Sequence, residues 1–213
     1  MSSIADIRKE YQMQTLLESD VDADPILQFG KWWDEATRSD INEVNAMTLA
    51  TATSDCVPSA RIVLLKEYNE QGFIFFSNYK SSKATELEEN PRACLVFFWK
   101  ELERQVRICG LVEKISSSAS DAYFASRPYE SQLGAWSSEQ SIVIADRSVI
   151  EERSTAYQKE FANKNIPRPQ WWGGYLVKPF SIEFWQGRPG RLHDRLLYSL
   201  DEKRIWKIER LAP

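Results

Sequence analysis

Residues 46–78 read AMTLATATSDCVPSARIVLLKEYNEQGFIFFSN. Three runs inside this stretch, 46–53, 59–66 and 72–78, are short and rich in branched and aromatic residues, a composition that suits a pleated, half-buried surface. The polar residues 68–71 predict a turn between the second and third runs, so the three form a β meander. Further along, ACLVFFW (93–99), ERQVRICGLVEKI (103–115), GGYLVK (173–178), FSIEFWQG (180–187), RLLYS (195–199) and RIWKIER (204–210) repeat the pattern. A sheet of that size leaves costly open edges unless it closes, and an antiparallel barrel is the natural closure.

Helices interrupt the strands. Asp24 before Pro25 predicts an N-cap with proline at the first helical position, and Ile26, Leu27, Phe29, Trp32, Trp33 and Ala36 follow at roughly helical spacing. Shorter helices are expected over 83–89, stopped at Asn90-Pro91, and over 118–126, stopped before Pro128. The Ser148/Glu151 pair predicts a capping box opening a last helix. The class is α+β with a β core. Without repeats or Gly/Ser linkers, residues 21–213 read as one domain behind an N-terminal segment, 1–20.

The 213 residues carry a net charge of −4 and a pI near 5.3, which argues against a general nucleic-acid binder. Cys56, Cys94 and Cys109 are odd in number and lack CxxC spacing, so neither a disulfide framework nor a metal site is expected. No basic leader precedes an apolar stretch and no run approaches a membrane span, which leads to the expectation of a cytoplasmic protein with no membrane partner.

The eight glycines form no phosphate-binding fingerprint, so any phosphate must be held mainly by side chains. Three sets could do this. Arg61 and Lys66 bracket RIVLLK, on opposite faces of an ideal strand, as anion ligands or as solvated strand ends. Ser77, Ser81, Ser82 and Lys83 lie where a strand gives way to a helix, as an anion site or as ordinary caps. Tyr123 and Arg127 are four apart on one helical face, with Ser131 in the following turn, as phosphate donors or as a packed tyrosine beside a surface arginine.

Residues 183–195, EFWQGRPGRLHDR, hold the chain's one histidine, His193, among three arginines, an aromatic and an amide, a set suited to a flat anionic molecule. Gln105 could meet the edge of a heteroaromatic ring. Trp185 and Trp136 read as core or as ligand platform.

RIVLLK, ERQVRICG, SRPYESQLGAW, Gln140-Ser141, WWGGY, EFWQGRPGRLHDR and WKIERLAP, in this order, resemble the pyridoxine/pyridoxamine 5′-phosphate oxidase family over nearly the whole chain. The resemblance implies an FMN-binding split barrel, a Greek-key antiparallel β barrel with peripheral helices, acting as a homodimer with FMN at the subunit interface. It implies FMN contacts from Arg61, Ile62, Val63, Leu64, Leu65, Lys66, Phe76, Ser77, Ser82, Lys83, Gln105, Gln140, Ser141, Trp185 and Arg195. Lys66, Tyr123, Arg127 and Ser131 would hold the phosphate of a pyridine substrate, Arg191 and His193 would act at its ring, and Arg8 and Tyr11 belong to a segment that can fold over it. The implied reaction makes pyridoxal 5′-phosphate, with dioxygen reduced to hydrogen peroxide. Another split-barrel FMN reductase, or a non-enzymatic carrier of FMN or pyridoxal 5′-phosphate, is the alternative. The chain departs from the pattern at Ser82, where arginine is usual, and at Phe76, where tyrosine is common. Ser82 predicts weaker flavin affinity unless Lys80 substitutes.

Overall fold

A computed structural model of the chain describes Ile4 and residues 10–213. Its first helix, α1 (Pro25–Arg38), starts as its sequence predicts: the Asp24 carboxylate accepts the Ile26 N–H at 2.7 Å and the Leu27 N–H at 3.4 Å. Phe29, Trp32 and Ala36 bury against the sheet, whereas Leu27 faces outward.

The strands are β1 (Ala46–Ala52), β2 (Pro58–Leu64), β3 (Glu67–Asn69), β4 (Gly72–Asn78), β5 (Arg92–Trp99), β6 (Arg104–Lys114), β7 (Trp172–Gln186), β8 (Asp194–Leu200) and β9 (Trp206–Arg210). All pairings are antiparallel, in the order β2-β1-β5-β6-β7-β4-β3, with β8 on β7 and β9 on β8. Since β2 lies at one end of this path and β3 at the other, yet only Leu65 and Lys66 join them, the sheet must curl until its ends meet. The Lys66 N–H donates to the Ile74 carbonyl at 2.9 Å across that closure.

Two runs that the sequence separates, 173–178 and 180–187, are one strand, β7, which splits the sheet. One edge of β7 follows β6, while the other pairs with β4 over residues 172–177 and with β8 over residues 181–186. Pro179, which has no N–H to donate, sits between those halves, opposite a register shift at Cys109/Gly110. Gly110 is required there, because a Cβ would lie 2.5 Å from the Lys178 carbonyl oxygen.

The main core gathers Phe29, Phe73, Phe97 and Trp99 in edge-on and tilted contacts, with Trp32 against Phe184. A satellite core of Phe124, Leu133, Phe161, Ile166 and Trp172 lies under the last three of the remaining helices, while Ala84 and Leu87 of the first join the main core. These helices are α2 (Ser82–Glu89), α3 (Ser117–Ser126), α4 (Tyr129–Ser137) and α5 (Ser148–Glu160).

Several expectations are corrected. Ser148 is the first residue of α5 rather than its cap: Arg147 takes the cap position without a capping bond from its side chain, and Asp146 accepts the Ser148 N–H instead. Ser131 lies inside a helix, α4, that the sequence reading left as a turn. Part of the predicted 68–71 turn is the short strand β3. Among the described residues no helix is long and apolar enough to cross a membrane.

Candidate functional site

The sheet edge at β2, the end of β4, the start of α2 and the α3–α4 corner border an open cavity of about 970 Å³. Its walls bring together the three sets that the sequence singled out: Arg61 and Lys66, then Ser77, Ser82 and Lys83, then Tyr123, Arg127 and Ser131. Ile62, Val63, Leu64, Phe76, Gln140 and Ser141 also line it. Arg61 and Lys66 therefore face one space and not two, because β2 is an edge strand around which the cavity wraps, and it ends at Leu64, before Lys66. Leu65 is the exception, its side chain being buried in the main core.

Among the described residues, four cations and no carboxylate line this cavity. Arg61 alone has an acidic partner, the buried Glu86, at 3.0 Å, and it also bonds Ser59 and Thr51. The Lys83 ammonium donates to Gln140 Oε1 at 2.9 Å and Ser81 Oγ at 3.1 Å; burial, with Arg61 nearby, pulls its pKa below the usual lysine range. Arg127 lies with its guanidinium 4.5 Å from the centre of the Trp172 ring, and burial lowers its pKa too. Its Nη1 is buried without a hydrogen-bond partner among the described residues. A buried cationic donor left open costs about 1–3 kcal/mol, which an anionic ligand would recover.

Local structure supports the same reading. The Ser81 hydroxyl donates to the Asn78 carbonyl and does not cap α2, while the Ser82 N–H donates to Ser141 Oγ at 3.2 Å. Thus the start of α2, with its favourable dipole, opens on the cavity. Phe76, Tyr123 and Trp172 form a stacked row along one wall, with the first two ring centroids 3.9 Å apart. Trp172, Asn78 and Ser138 were not singled out as site residues by the sequence; a tryptophan at a strand start beside glycines carries no signal of its own. Lys80 does not line the cavity, since its ammonium lies 5.0 Å from the Trp171 ring centre. Trp136 packs on Tyr157, Phe161 and Trp171, as core.

The remaining predicted residues form a second cluster. Phe98, Gln105, Trp185 and Arg195 are cross-strand neighbours in one row over β5, β6, β7 and β8. Beside it, Trp185 and His193 have ring centroids 4.6 Å apart, and Tyr11 packs edge-on against both. The Arg188 N–H donates to His193 Nδ1 at 3.1 Å, which places the proton of the neutral ring on Nε2. Burial, and then the charge of Arg191, lower the His193 pKa below its ordinary value. Arg191 is exposed and left-handed, with φ 62°, directly after Gly190. Arg8 lies outside the described residues.

The two clusters are apart within one chain. Phe76 pairs with Gly174 and Gln105 pairs with Trp185, so eleven residues of β7 separate them, about 36 Å along an extended strand. None of Gln105, Trp185, Arg191, His193 and Arg195 lines the cavity.

Family models match most of the chain: "Pyridoxamine 5′-phosphate oxidase" over residues 33–159 and "Pyridoxine 5′-phosphate oxidase C-terminal dimerisation region" over residues 172–213. A pyridoxine/pyridoxamine 5′-phosphate oxidase of Nostoc sp. is 57% identical over 211 residues, 99% of each chain. One from Cupriavidus pinatubonensis is 54% identical over 213 residues, covering all of both chains. Among solved structures, PhzG from Burkholderia lata, in complex with tetrahydrophenazine-1-carboxylic acid, superposes with a TM-score of 0.89 at 29% identity, covering 95% of this chain and 100% of that one. A pyridoxamine 5′-phosphate oxidase-related, FMN-binding protein from Nostoc punctiforme shares the fold, with a TM-score of 0.72 at 18% identity, over 91% of this chain and 100% of that one.

Proposed function

The chain belongs to the pyridoxine/pyridoxamine 5′-phosphate oxidase family, and from that membership we propose an FMN-dependent oxidase that converts either phosphate ester to pyridoxal 5′-phosphate, with dioxygen reduced to hydrogen peroxide. The observation that carries this reading is the acid-free cavity with the unpartnered Arg127 guanidinium. Its donors fall into two groups, as two phosphorylated ligands require.

Arg61, Ser77, Ser82, Lys83, Gln140 and Ser141 would hold FMN through its phosphate and polar edges, with the residues 62–66 and Phe76 beside them. Lys66, Tyr123, Arg127 and Ser131 would hold the substrate phosphate. Both sets combine charged and neutral donors, which suits a phosphate dianion. The donor chemistry fits both groups. When bound, FMN supplies the two-electron redox chemistry that no side chain here can.

The remaining contacts come from the second cluster. Gln105, Trp185 and Arg195 would complete the FMN site, and Arg191 and His193 would cover the substrate ring, but from the other subunit of a homodimer. The match of residues 172–213 to a dimerisation region supports this, as does the distance between the clusters along β7. Arg191 would orient the ring, and His193, protonated at Nε2, would donate to the substituent that reacts. Such positioning converts binding energy into rate. Tyr11 and Arg8 would close over the bound substrate.

The direct test is purified protein with FMN and pyridoxine 5′-phosphate in air, following aldehyde and peroxide together. Equal appearance of both is expected. FMN binding without either product, with pyridoxamine 5′-phosphate also inert, would leave a flavin carrier or reductase.

A further inference from the structure

Cys94 and Cys109 stand directly opposite each other on β5 and β6. The Val112 N–H donates to the Pro91 carbonyl at 2.9 Å, which makes residues 91 and 112 a hydrogen-bonded pair. Such pairs alternate with non-hydrogen-bonded ones, so the cysteines, three steps along the same register, form a non-hydrogen-bonded pair. In that arrangement Cα atoms are about 4.5 Å apart and the side chains approach most closely. A disulfide needs a Cα separation of about 4.4–6.8 Å, so closure requires no movement of the backbone.

The surroundings favour reaction over inert packing. Both thiols are free and only half-buried, and their other neighbours across the sheet, Ala50 and Ser181, are small. Arg107, two residues before Cys109 on the same face of β6, supplies positive charge, offset in part by the buried Glu183 that it bonds. The facing Cys94 thiol, with Arg107 adding to it, lowers the pKa of Cys109, and the same contact raises that of Cys94. One sulfur is thus set up as nucleophile and the other as resolving thiol.

We propose that Cys94 and Cys109 form a reversible oxidation site that hydrogen peroxide closes into a cross-strand disulfide. The Cys109 thiolate attacks one peroxide oxygen; an S–O bond forms, the O–O bond breaks, and the departing hydroxide takes up the thiol's proton to leave as water. The Cys94 sulfur then attacks the Cys109 sulfur as its own proton leaves. The S–S bond forms, the S–O bond breaks, and a second water departs. Two thiols lose two electrons and one peroxide becomes two waters. This chemistry does not depend on the flavin reading, because added peroxide suffices.

The test is peptide mapping of the FMN-loaded full chain after peroxide treatment and alkylation, without reductant. A linked peptide pair carrying Cys94 and Cys109 is expected, lighter by two hydrogens and restored by dithiothreitol. Free thiols should fall from three per chain to one, Cys56 remaining. Cys94→Ser should stop at a sulfenic acid on Cys109 that dimedone traps, whereas Cys109→Ser should leave Cys94 alkylatable. Recovery of both wild-type cysteines in alkylated form, at peroxide levels that oxidise Cys56, would overturn the proposal. So would over-oxidation of Cys109 with Cys94 still free.

Discussion

The cavity beside β2 and the row that runs through Gln105, Trp185 and Arg195 are both rich in arginine and aromatic rings, yet they treat charge in opposite ways. Among the described residues no carboxylate lines the cavity, although Glu86 pairs with Arg61, and the Arg127 guanidinium keeps a buried donor unused. Beside the row, Glu183 is buried and bonds both Arg107 and Arg195. The first region leaves a buried guanidinium donor open; the second uses a buried carboxylate to fix two arginines in place. A ligand-binding wall and a docking wall differ in just this way, and a site between two subunits needs one of each.

Substitutions can break this comparison. The largest effect is expected at Arg191: Arg191→Leu should lower turnover on the order of a hundredfold by misplacing substrate, with FMN retention nearly unchanged. Comparable losses in both would remove Arg191 from the substrate side. Next, the two regions should respond oppositely in thermal unfolding. Glu183→Ala leaves two arginines without their buried carboxylate and should destabilise by about 2–3 kcal/mol, a value discounted for the partial exposure of both partners. Arg127→Ala removes an unpaired buried charge, so stability should hold or rise while KM climbs roughly tenfold or more. Equal destabilisation by both would mean that the cavity cations are structural.

Two smaller effects sharpen the account. Ser82→Arg should tighten FMN binding roughly tenfold by adding one charge-assisted hydrogen bond, since Lys80 is engaged on Trp171. Equilibrium titration that finds no change would separate residue 82 from the flavin. His193 has a folded pKa below its ordinary 6.5, so the neutral ring is favoured on folding; that contribution is present above pH 6.5 and is lost as pH falls towards the folded value. The kcat/KM profile should therefore be flat at neutral pH and bend down only below pH 6.5. A profile that instead falls as pH rises would mean that His193 works protonated.

Much of this was readable before the structure, for identifiable reasons. The strands that carry Gln105, Trp185 and Arg195 are legible because each is clearly patterned, whereas their alignment in one row depends on pairing register, which no single strand shows. The α1 cap was readable because Asp24 and Pro25 act locally. The α4 helix was not, since Pro128, read as a stop, also begins the next helix, and Gly134 weakens its pattern. Arg61 and Lys66 were assigned to opposite faces because periodicity cannot show that β2 is an edge that ends two residues before Lys66. Nor can it show which cation lacks a partner; that depends on every carboxylate in the fold.

The central claim is that each site draws residues from two chains, and subunit mixing tests it most directly. Arg127→Ala and His193→Asn variants would be unfolded together, refolded as a mixture and assayed at a substrate concentration well below the raised KM, where each variant alone has little activity. If the clusters meet across a dimer, mixed dimers contain one intact site and one doubly altered site, and activity should return to about one quarter of wild type. Activity that stays at the level of the separate variants, with mixed dimers verified by mass, would contradict the shared site.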